Sequence, residues 1–114
     1  MRIAQWLEDC ILDGNLNENE RVYSQYQLAE MFNINPATAA KGLNILSDDG
    51  TVYKKRGLGM FVSIGARALI LEKRRGGAFN EMARQLVVEA KRLEIDEEKL
   101  VREIRHIFES GAGV

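Results

Sequence analysis

The chain is poor in the residues that build disulfides and many catalytic sites. Its 114 residues include one cysteine, one histidine and one proline. The single cysteine, Cys10, cannot form a disulfide within the chain, which suits a reducing compartment. Because Cys10 falls on the apolar face of a predicted helix, we interpret it as a small core residue and not as a redox switch.

The scarcity of histidine and cysteine also argues against catalysis. His106, the one histidine, lies between Ile104 and Ile107 of a predicted apolar stripe, and we expect it at a helix surface or interface. One cysteine and one histidine leave no metal-ligand spacing, and Gly57-x-Gly59 lacks the strand-to-helix context of a nucleotide-binding loop. The sequence therefore predicts no catalytic residue, no metal site and no cofactor.

Long hydrophobic runs and an excess of charge are missing as well. No apolar run approaches the ~20 residues that cross a bilayer, and residues 1–5 do not resemble a signal peptide. We therefore expect a cytoplasmic protein that does not enter a membrane. The formal net charge of −1 gives no overall basic footprint for nucleic acid, so any attraction to nucleic acid must come from a local cluster.

What the chain does contain is organised around residues 24–50. Ser24, followed three residues later by Gln27, has the form of a capping box and predicts a helix over residues 25–32. Two asparagines and the proline then interrupt the helical pattern at residues 33–36. We expect a short polar turn at this point.

A second helix follows the turn. Asn35 is a good N-cap, and Pro36 fits the first helical position, where its missing N–H costs nothing. We expect this helix to extend to about Asp49, with Gly50 as its left-handed stop. Two helices joined by a short polar turn are the layout of a helix-turn-helix, whose second helix enters the major groove of DNA.

The second helix has two distinct faces. We expect an inward stripe of Ala39, Leu43 and Leu46, supported by Ala40 and Ile45. The outward positions near the N-terminus of the helix are Ala37, Thr38 and Lys41. Small residues permit close approach to a groove, whereas Thr38 and Lys41 offer a hydroxyl and a charge to phosphates or base edges. The alternative is a surface helix without such a role, and Gly42 is expected to weaken the helix.

A glycine-containing hairpin is predicted directly after this helix. Residues 51–55 and 60–64 are β-prone and flank Arg56-Gly57-Leu58-Gly59, whose glycines permit the positive φ angles of a tight turn. The basic cluster Lys54-Lys55-Arg56 lies at this tip. A basic hairpin after a helix-turn-helix is a wing, suited to press on phosphates or to reach the minor groove. A solvated charged turn is the alternative.

The residues before the helix-turn-helix predict one more helix and an extended segment. The helix spans residues 2–13, and its apolar face consists of Ile3, Leu7, Cys10 and Ile11. We expect its solvated face to carry Gln5, Glu8, Asp9 and Asp13. Residues 21–23 are expected to be extended and to lead into Ser24.

The C-terminal part predicts helices with apolar stripes that need a partner. The helical repeat that begins after Ala66 is interrupted at residues 76–77, and Asp96 is expected to cap a last helix before a frayed tail at residues 111–114. Two helices cannot bury both stripes against each other, so we expect a second copy of the chain to cover them. The predicted dimer-interface residues are Phe79, Met82, Leu86, Val87, Leu93, Leu100, Ile104, Ile107 and Phe108.

Two alternatives for these stripes remain open. The helices could instead pack back on the winged domain. A small-molecule inducer could also bind between aromatic and methionine side chains such as Phe79, Met82 and Phe108, although stripes at helical spacing usually indicate packing.

The elements together predict a mainly α fold with a small β-hairpin (α+β). A winged helix-turn-helix occupies residues 1–65, and a short helical dimerisation tail occupies residues 66–114.

The chain resembles the GntR family of bacterial transcriptional regulators, and more closely its YtrA-type subgroup. The motifs that carry the resemblance are SQYQLA at residues 24–29, INPAT at 34–38, KRGLGMFV at 55–62, and EAKRL with IDEE at 89–98. The resemblance implies a homodimeric repressor that binds a palindromic operator in double-stranded DNA, often in control of a transporter operon. It also implies that the tail is a dimerisation module, too short for an effector pocket.

Resemblance and residue chemistry together give one predicted set of DNA contacts. The set consists of Ser24, Tyr26, Asn35, Ala37, Thr38, Lys41, Lys54, Lys55, Arg56 and Gly57. The chain departs from the family pattern at Tyr23, where a proline is usual, and at Tyr26 and Ala40, where arginines are common. These departures remove charge from the DNA face, and they keep open an alternative function as a winged-helix module that binds protein and has lost strong DNA binding.

Overall fold

The computed structural model describes residues 3–111, which are mostly helical. The elements in chain order are α1 (Ile3–Leu12), α2 (Gln25–Phe32), α3 (Pro36–Asp48), β1 (Val52–Lys55), β2 (Gly59–Val62), α4 (Ala66–Gly76), α5 (Ala78–Arg92) and α6 (Glu97–Ser110). This architecture confirms the predicted fold class. One compact unit ends at Arg74 and a second begins at Arg75. The functional boundary between residues 65 and 66 stays a prediction.

The caps of the helix-turn-helix form as predicted. The Ser24 backbone N–H donates to Gln27 Oε1 at 2.8 Å, and the Gln27 N–H donates to Ser24 Oγ at 3.1 Å. Asn35 Oδ1 accepts from the Ala37 N–H at 2.8 Å, so α3 begins at Pro36. Gly50 follows the end of α3 with a φ of +78°, which confirms the left-handed stop.

The core of the first unit lies between α1, the helix-turn-helix, the hairpin and the start of α4. Its largest fully buried side chains are Leu7, Leu28, Leu46, Ile70 and Val62. Cys10 is buried in the same cluster, as predicted. The helices α1 and α3 approach closely at Gly42, where an added Cβ would lie 2.8 Å from Ile3 Cβ. The glycine that was expected only to weaken α3 thus provides the space in which α1 packs.

The prediction that Ile45 supports the inward face of α3 is wrong. Ile45 is 50% exposed, whereas Leu46 is fully buried. Ile45 lies four residues after Lys41 and therefore shares the outward face of the helix. Gly42 is the residue that joins Ala39, Leu43 and Leu46 on the buried face.

The prediction that Glu8 lies on a solvated face is also wrong. Glu8 is only 4% exposed, and its carboxylate receives hydrogen bonds from Lys73 and Arg74 of α4. The α1 periodicity could not show this, because the cationic partners lie more than sixty residues away in sequence. Buried charges of this kind persist in proteins only when they are paired.

The hairpin is a two-stranded antiparallel sheet in which Tyr53 pairs with Phe61 and Lys54 with Met60. The strands are shorter than predicted, since Thr51, Ser63 and Ile64 lie outside them. The segment before α2 runs along β2, where the Val22 N–H donates to the Met60 carbonyl at 2.8 Å. This contact confirms the extended segment at residues 21–23.

The second unit consists mainly of α5 and α6. The helical repeat breaks at Gly76 and Gly77, as predicted, and Asp96 caps α6 by accepting from the Lys99 N–H at 2.8 Å. Within this part of the chain the apolar stripes stay largely exposed. The predicted frayed tail falls outside the described residues except for Gly111, as does Arg2 of the predicted first helix.

Candidate nucleic-acid interface

The outward face of α3 presents a continuous exposed strip. Ala37, Thr38 and Lys41 are all exposed, as the sequence predicts for a helix that approaches a groove. Asn44 and Ile45 extend the same strip by one turn and are exposed too. The strip therefore offers a hydroxyl, a cation and an amide beside small or apolar surface.

Two of the predicted contact residues also carry the caps that place the helices. Asn35 uses its side-chain oxygen to hold the Ala37 N–H, so the amide nitrogen is its group suited to an acceptor outside the chain. Ser24 Oγ accepts from the Gln27 N–H, which leaves the hydroxyl proton to donate elsewhere. Both residues thus combine a structural hydrogen bond with one outward donor.

The wing extends from the sheet as an exposed basic turn. The Leu58 N–H donates to the Lys55 carbonyl at 2.9 Å and closes the turn. Gly57 and Gly59 have φ angles of +77° and +111°, which confirms why glycines occupy the tip. The four predicted contact residues of the wing are all exposed, namely Lys54, Lys55, Arg56 and Gly57.

The two lysines of β1 point to opposite faces of the hairpin. Lys55 Nζ lies 4.7 Å from the Phe61 ring centroid and 5.8 Å from that of Tyr53, within the range of a cation–π contact. The Tyr53 hydroxyl in turn donates to Asn19 Oδ1 at 2.9 Å. Since side chains alternate along a strand, Lys54 lies on the other face, beside Met60.

A cleft of about 250 Å³ joins the start of α2, the middle of α3 and the hairpin. Three predicted contact residues line it, namely Ser24, Tyr26 and Lys54, and Tyr26 is 70% exposed. Ala40 and Asn44 form its α3 side. The structure therefore brings Ser24, Tyr26 and Lys54 together. Ala37, Thr38 and Lys41 lie on the exposed α3 strip, and Lys55 lies on the far face of the hairpin.

Sequence reasoning missed two exposed polar residues of this cleft. Asn44 lies three residues after Lys41, so helical spacing alone could have placed it on the outward strip. Arg21 lines the same cleft from the segment before α2. It was predicted only as part of an extended segment, and its place beside the wing depends on the pairing of that segment with β2.

Other kinds of site find no support in the part of the chain that the structure describes. Residues 3–111 contain no group of three or more histidine, cysteine, aspartate or glutamate side chains that could hold a metal ion. The helices in the same range are all too short or too polar to span a bilayer. The exposed features that stand out in the first unit are thus the α3 strip, the basic wing and the cleft between them.

Comparison with known proteins gives relatives along nearly the whole chain, although no protein-family model matches it. The HTH-type transcriptional repressor YtrA of Bacillus subtilis (strain 168) is 26% identical over 106 residues, which cover 93% of this chain and 81% of that protein. A crystal structure from Bacteroides thetaiotaomicron, described as a transcriptional regulator of the GntR family, is 26% identical with a TM-score of 0.77. It covers 96% of this chain and 95% of that one.

A second similar structure is that of BusR from Streptococcus agalactiae in complex with its busA promoter DNA. It is 23% identical with a TM-score of 0.58, covering 99% of this chain and 58% of that one, and at this identity it supports the fold alone. Fold and relatives together define a transcriptional regulator with a winged-helix DNA-binding domain. The chain is similar to transcriptional regulators of the GntR family, among them YtrA, and these relatives are not enzymes.

Proposed function

We propose that the chain acts as a homodimeric repressor that binds a palindromic operator in double-stranded DNA. The observation that carries the proposal is the exposed α3 strip beside a basic, glycine-tipped wing. In this arrangement Thr38 and Lys41 reach base edges or phosphates in the major groove, and Arg56 and Gly57 approach the adjacent backbone. The repressor role follows the name of the YtrA relative, and BusR gives an example of this fold bound to promoter DNA.

The dimer is proposed from the apolar surface of the second unit. Phe79 and Met82 of α5 are 68% and 66% exposed, and Phe108 of α6 is 81% exposed. The other predicted interface residues are also exposed, apart from the half-buried Leu100, and Val88 and Val101 join them on the two helices. Apolar surface of this extent is unfavourable in water and marks interaction sites in proteins. A second copy of the chain would cover it with a matching surface, as in two-fold dimers generally.

A dimer also provides the two recognition helices that a palindromic site requires. Each half-site of a palindrome accepts one recognition helix, and the two half-sites lie about 34 Å or one helical turn apart. Two winged heads joined by their helical tails provide two copies of α3, one for each half-site. The domain division at residues 65 and 66 follows from this separation of roles.

The biological setting is proposed from the family resemblance. We place the protein in the cytoplasm, where operator DNA is accessible, and we expect it to control a transporter operon. A small-molecule inducer is kept as a partner of undefined chemistry, with Phe79, Met82 and Phe108 as the side chains that would line its site.

Sedimentation and a gel shift test the proposal together. At micromolar concentration we expect the mass of a dimer, and we expect salt-sensitive binding to the DNA upstream of the protein's own gene. Phe108→Glu should produce monomers and weaken DNA binding, because it buries a charge in the interface. The control variant His106→Glu introduces a glutamate on the polar side of α6, so it should leave the dimer intact.

Two results would contradict the proposal. If the chain sediments as a monomer at micromolar concentration, the proposed dimer is ruled out. A stable dimer that ignores the upstream DNA at low salt, and that captures a protein from its native lysate, would favour the protein-binding alternative.

A further inference from the structure

We propose that Arg21 and Lys54 together hold one phosphate of the DNA backbone at the mouth of the cleft beside the wing. The inference rests on the proposed function and adds to it a residue, Arg21, that lies outside the predicted contact set. Arg21 precedes α2, Lys54 belongs to β1, and both line the same cleft. The site is therefore assembled by the tertiary structure from two separate segments.

The backbone at Arg21 is fixed by the hairpin. Arg21 forms an isolated antiparallel bridge with Phe61, and the next residue donates its N–H to the Met60 carbonyl at 2.8 Å. The side chain thus starts from a rigid position at the edge of the sheet. A guanidinium held in this way loses less conformational freedom on binding than one on a mobile loop.

Gly59 leaves the space that the guanidinium occupies. A Cβ built on Gly59 would lie 3.1 Å from Arg21 Nε, tighter than most Cβ contacts, and 3.5 Å from its Nη2, an ordinary van der Waals distance. The guanidinium therefore packs directly against the backbone at the base of the wing turn. The glycine contributes to the site through its missing side chain, in addition to its positive φ of +111°.

Both cations lack a partner within residues 3–111. Arg21 and Lys54 make no side-chain hydrogen bond or salt bridge there, whereas Lys73 and Arg74 pair with carboxylates of the first unit. No described residue that lines the cleft is acidic. Glu20, the acidic residue next to Arg21, accepts instead from the Asn17 N–H at 3.0 Å.

The chemistry of the cleft suits a phosphate. A guanidinium donates two parallel hydrogen bonds to a phosphate, and an ammonium adds a point charge. The Ser24 hydroxyl lies in the same cleft and has a proton to donate. Because phosphates carry no sequence information, this contact would set the register of the wing on the duplex without changing base preference.

The salt dependence of DNA binding tests the inference. Arg21→Gln should weaken binding on the order of tenfold at moderate salt for all sequences, and should reduce the slope of log K against log salt by about 0.9 per protomer. Arg21→Lys should keep the slope, because it keeps the charge. Arg75→Gln is the matched control, since Arg75 is exposed, does not line the cleft and lies far from the cleft residues in sequence.

The outcomes separate this inference from the proposed function. If the wild-type protein binds no DNA at low salt, the proposed function fails and the phosphate site fails with it. If the wild type binds DNA and Arg21→Gln keeps its affinity and salt slope, only the phosphate site fails. A change in the preferred sequence on Arg21→Gln would also contradict it, because that result indicates base reading. Thermal unfolding of each variant shows that the fold is retained.

Discussion

The guanidinium of Arg74 lies 3.0 Å from the carboxylate of Glu8 and ties the last turns of α4 to α1. Arg74 Nη1 also donates to Asp9 at 2.7 Å, and Nη2 donates to the Gln5 carbonyl at 3.1 Å. Lys73 adds contacts to Glu8 and to Asp49 just after α3. A network of five charged side chains thus joins three helical segments of the first unit.

Removing Arg74 should destabilise the first unit. Arg74→Ala leaves the buried Glu8 carboxylate with Lys73 alone, and we expect a loss of about 1–3 kcal/mol in the free energy of unfolding, the cost of under-satisfying a buried polar group. Chemical denaturation measures this loss. Arg75→Ala removes the same side chain one position later, where it is exposed, and should change stability by less than about 0.5 kcal/mol. Equal effects of the two variants would show that the Glu8 contact contributes little.

Substitution by alanine should have opposite effects on stability at two helical glycines, Gly42 and Gly76. Gly42→Ala gains about 1 kcal/mol of helix propensity but forces a Cβ to within 2.8 Å of the buried Ile3 side chain. Overpacking of this kind costs about 1–3 kcal/mol, so we expect net destabilisation. Gly76→Ala meets nothing within 4 Å and should stabilise by up to about 1 kcal/mol. Melting temperatures of both variants test the difference in sign.

The Cys10 thiol should stay protonated and unreactive in the folded protein. Burial raises the pKa of Cys10 above 9.0, and the negative charges of Asp13 and Asp9 raise it further. Below pH 9 the thiol is protonated in both the folded and the unfolded chain. Above pH 9 the thiol ionises in the unfolded chain before it ionises in the folded protein, so the free energy of unfolding falls as the pH rises. We expect iodoacetamide to modify Cys10 slowly at pH 8 until urea is added. Between pH 9 and 10 the wild type should lose more stability than Cys10→Ala.

Arg56 and Thr38, two exposed residues of the proposed DNA interface, should affect different properties: the affinity for DNA and the sequence preference, respectively. Arg56→Ala should weaken binding to all sequences alike, because a wing cation contacts phosphates. Thr38→Ala should change the sequences selected from a random DNA pool, because a hydroxyl and a methyl near the start of α3 reach base edges. Sequencing of the selected pools distinguishes these results. If the Thr38→Ala variant and the wild type select identical pools, Thr38 does not contribute to the recognition of bases.

Local chemistry in the sequence determined the elements of this protein. The Ser24–Gln27 capping box, the Asn35 cap with Pro36 and the stop at Gly50 each depend on residues within four positions of one another. The turn glycines of the wing have the same local character. For this reason the helix-turn-helix and the hairpin could be placed from sequence to within a few residues.

Only the tertiary structure decided which of these elements share a surface. The buried pairing of Glu8 with Arg74, the approach of α1 at Gly42 and the position of Arg21 beside Gly59 all join residues distant in sequence. Helical or strand periodicity assigns a residue to a face, but it does not show what packs against that face. The pairing of charges and the fit of a guanidinium over a glycine depend on how the segments pack in three dimensions.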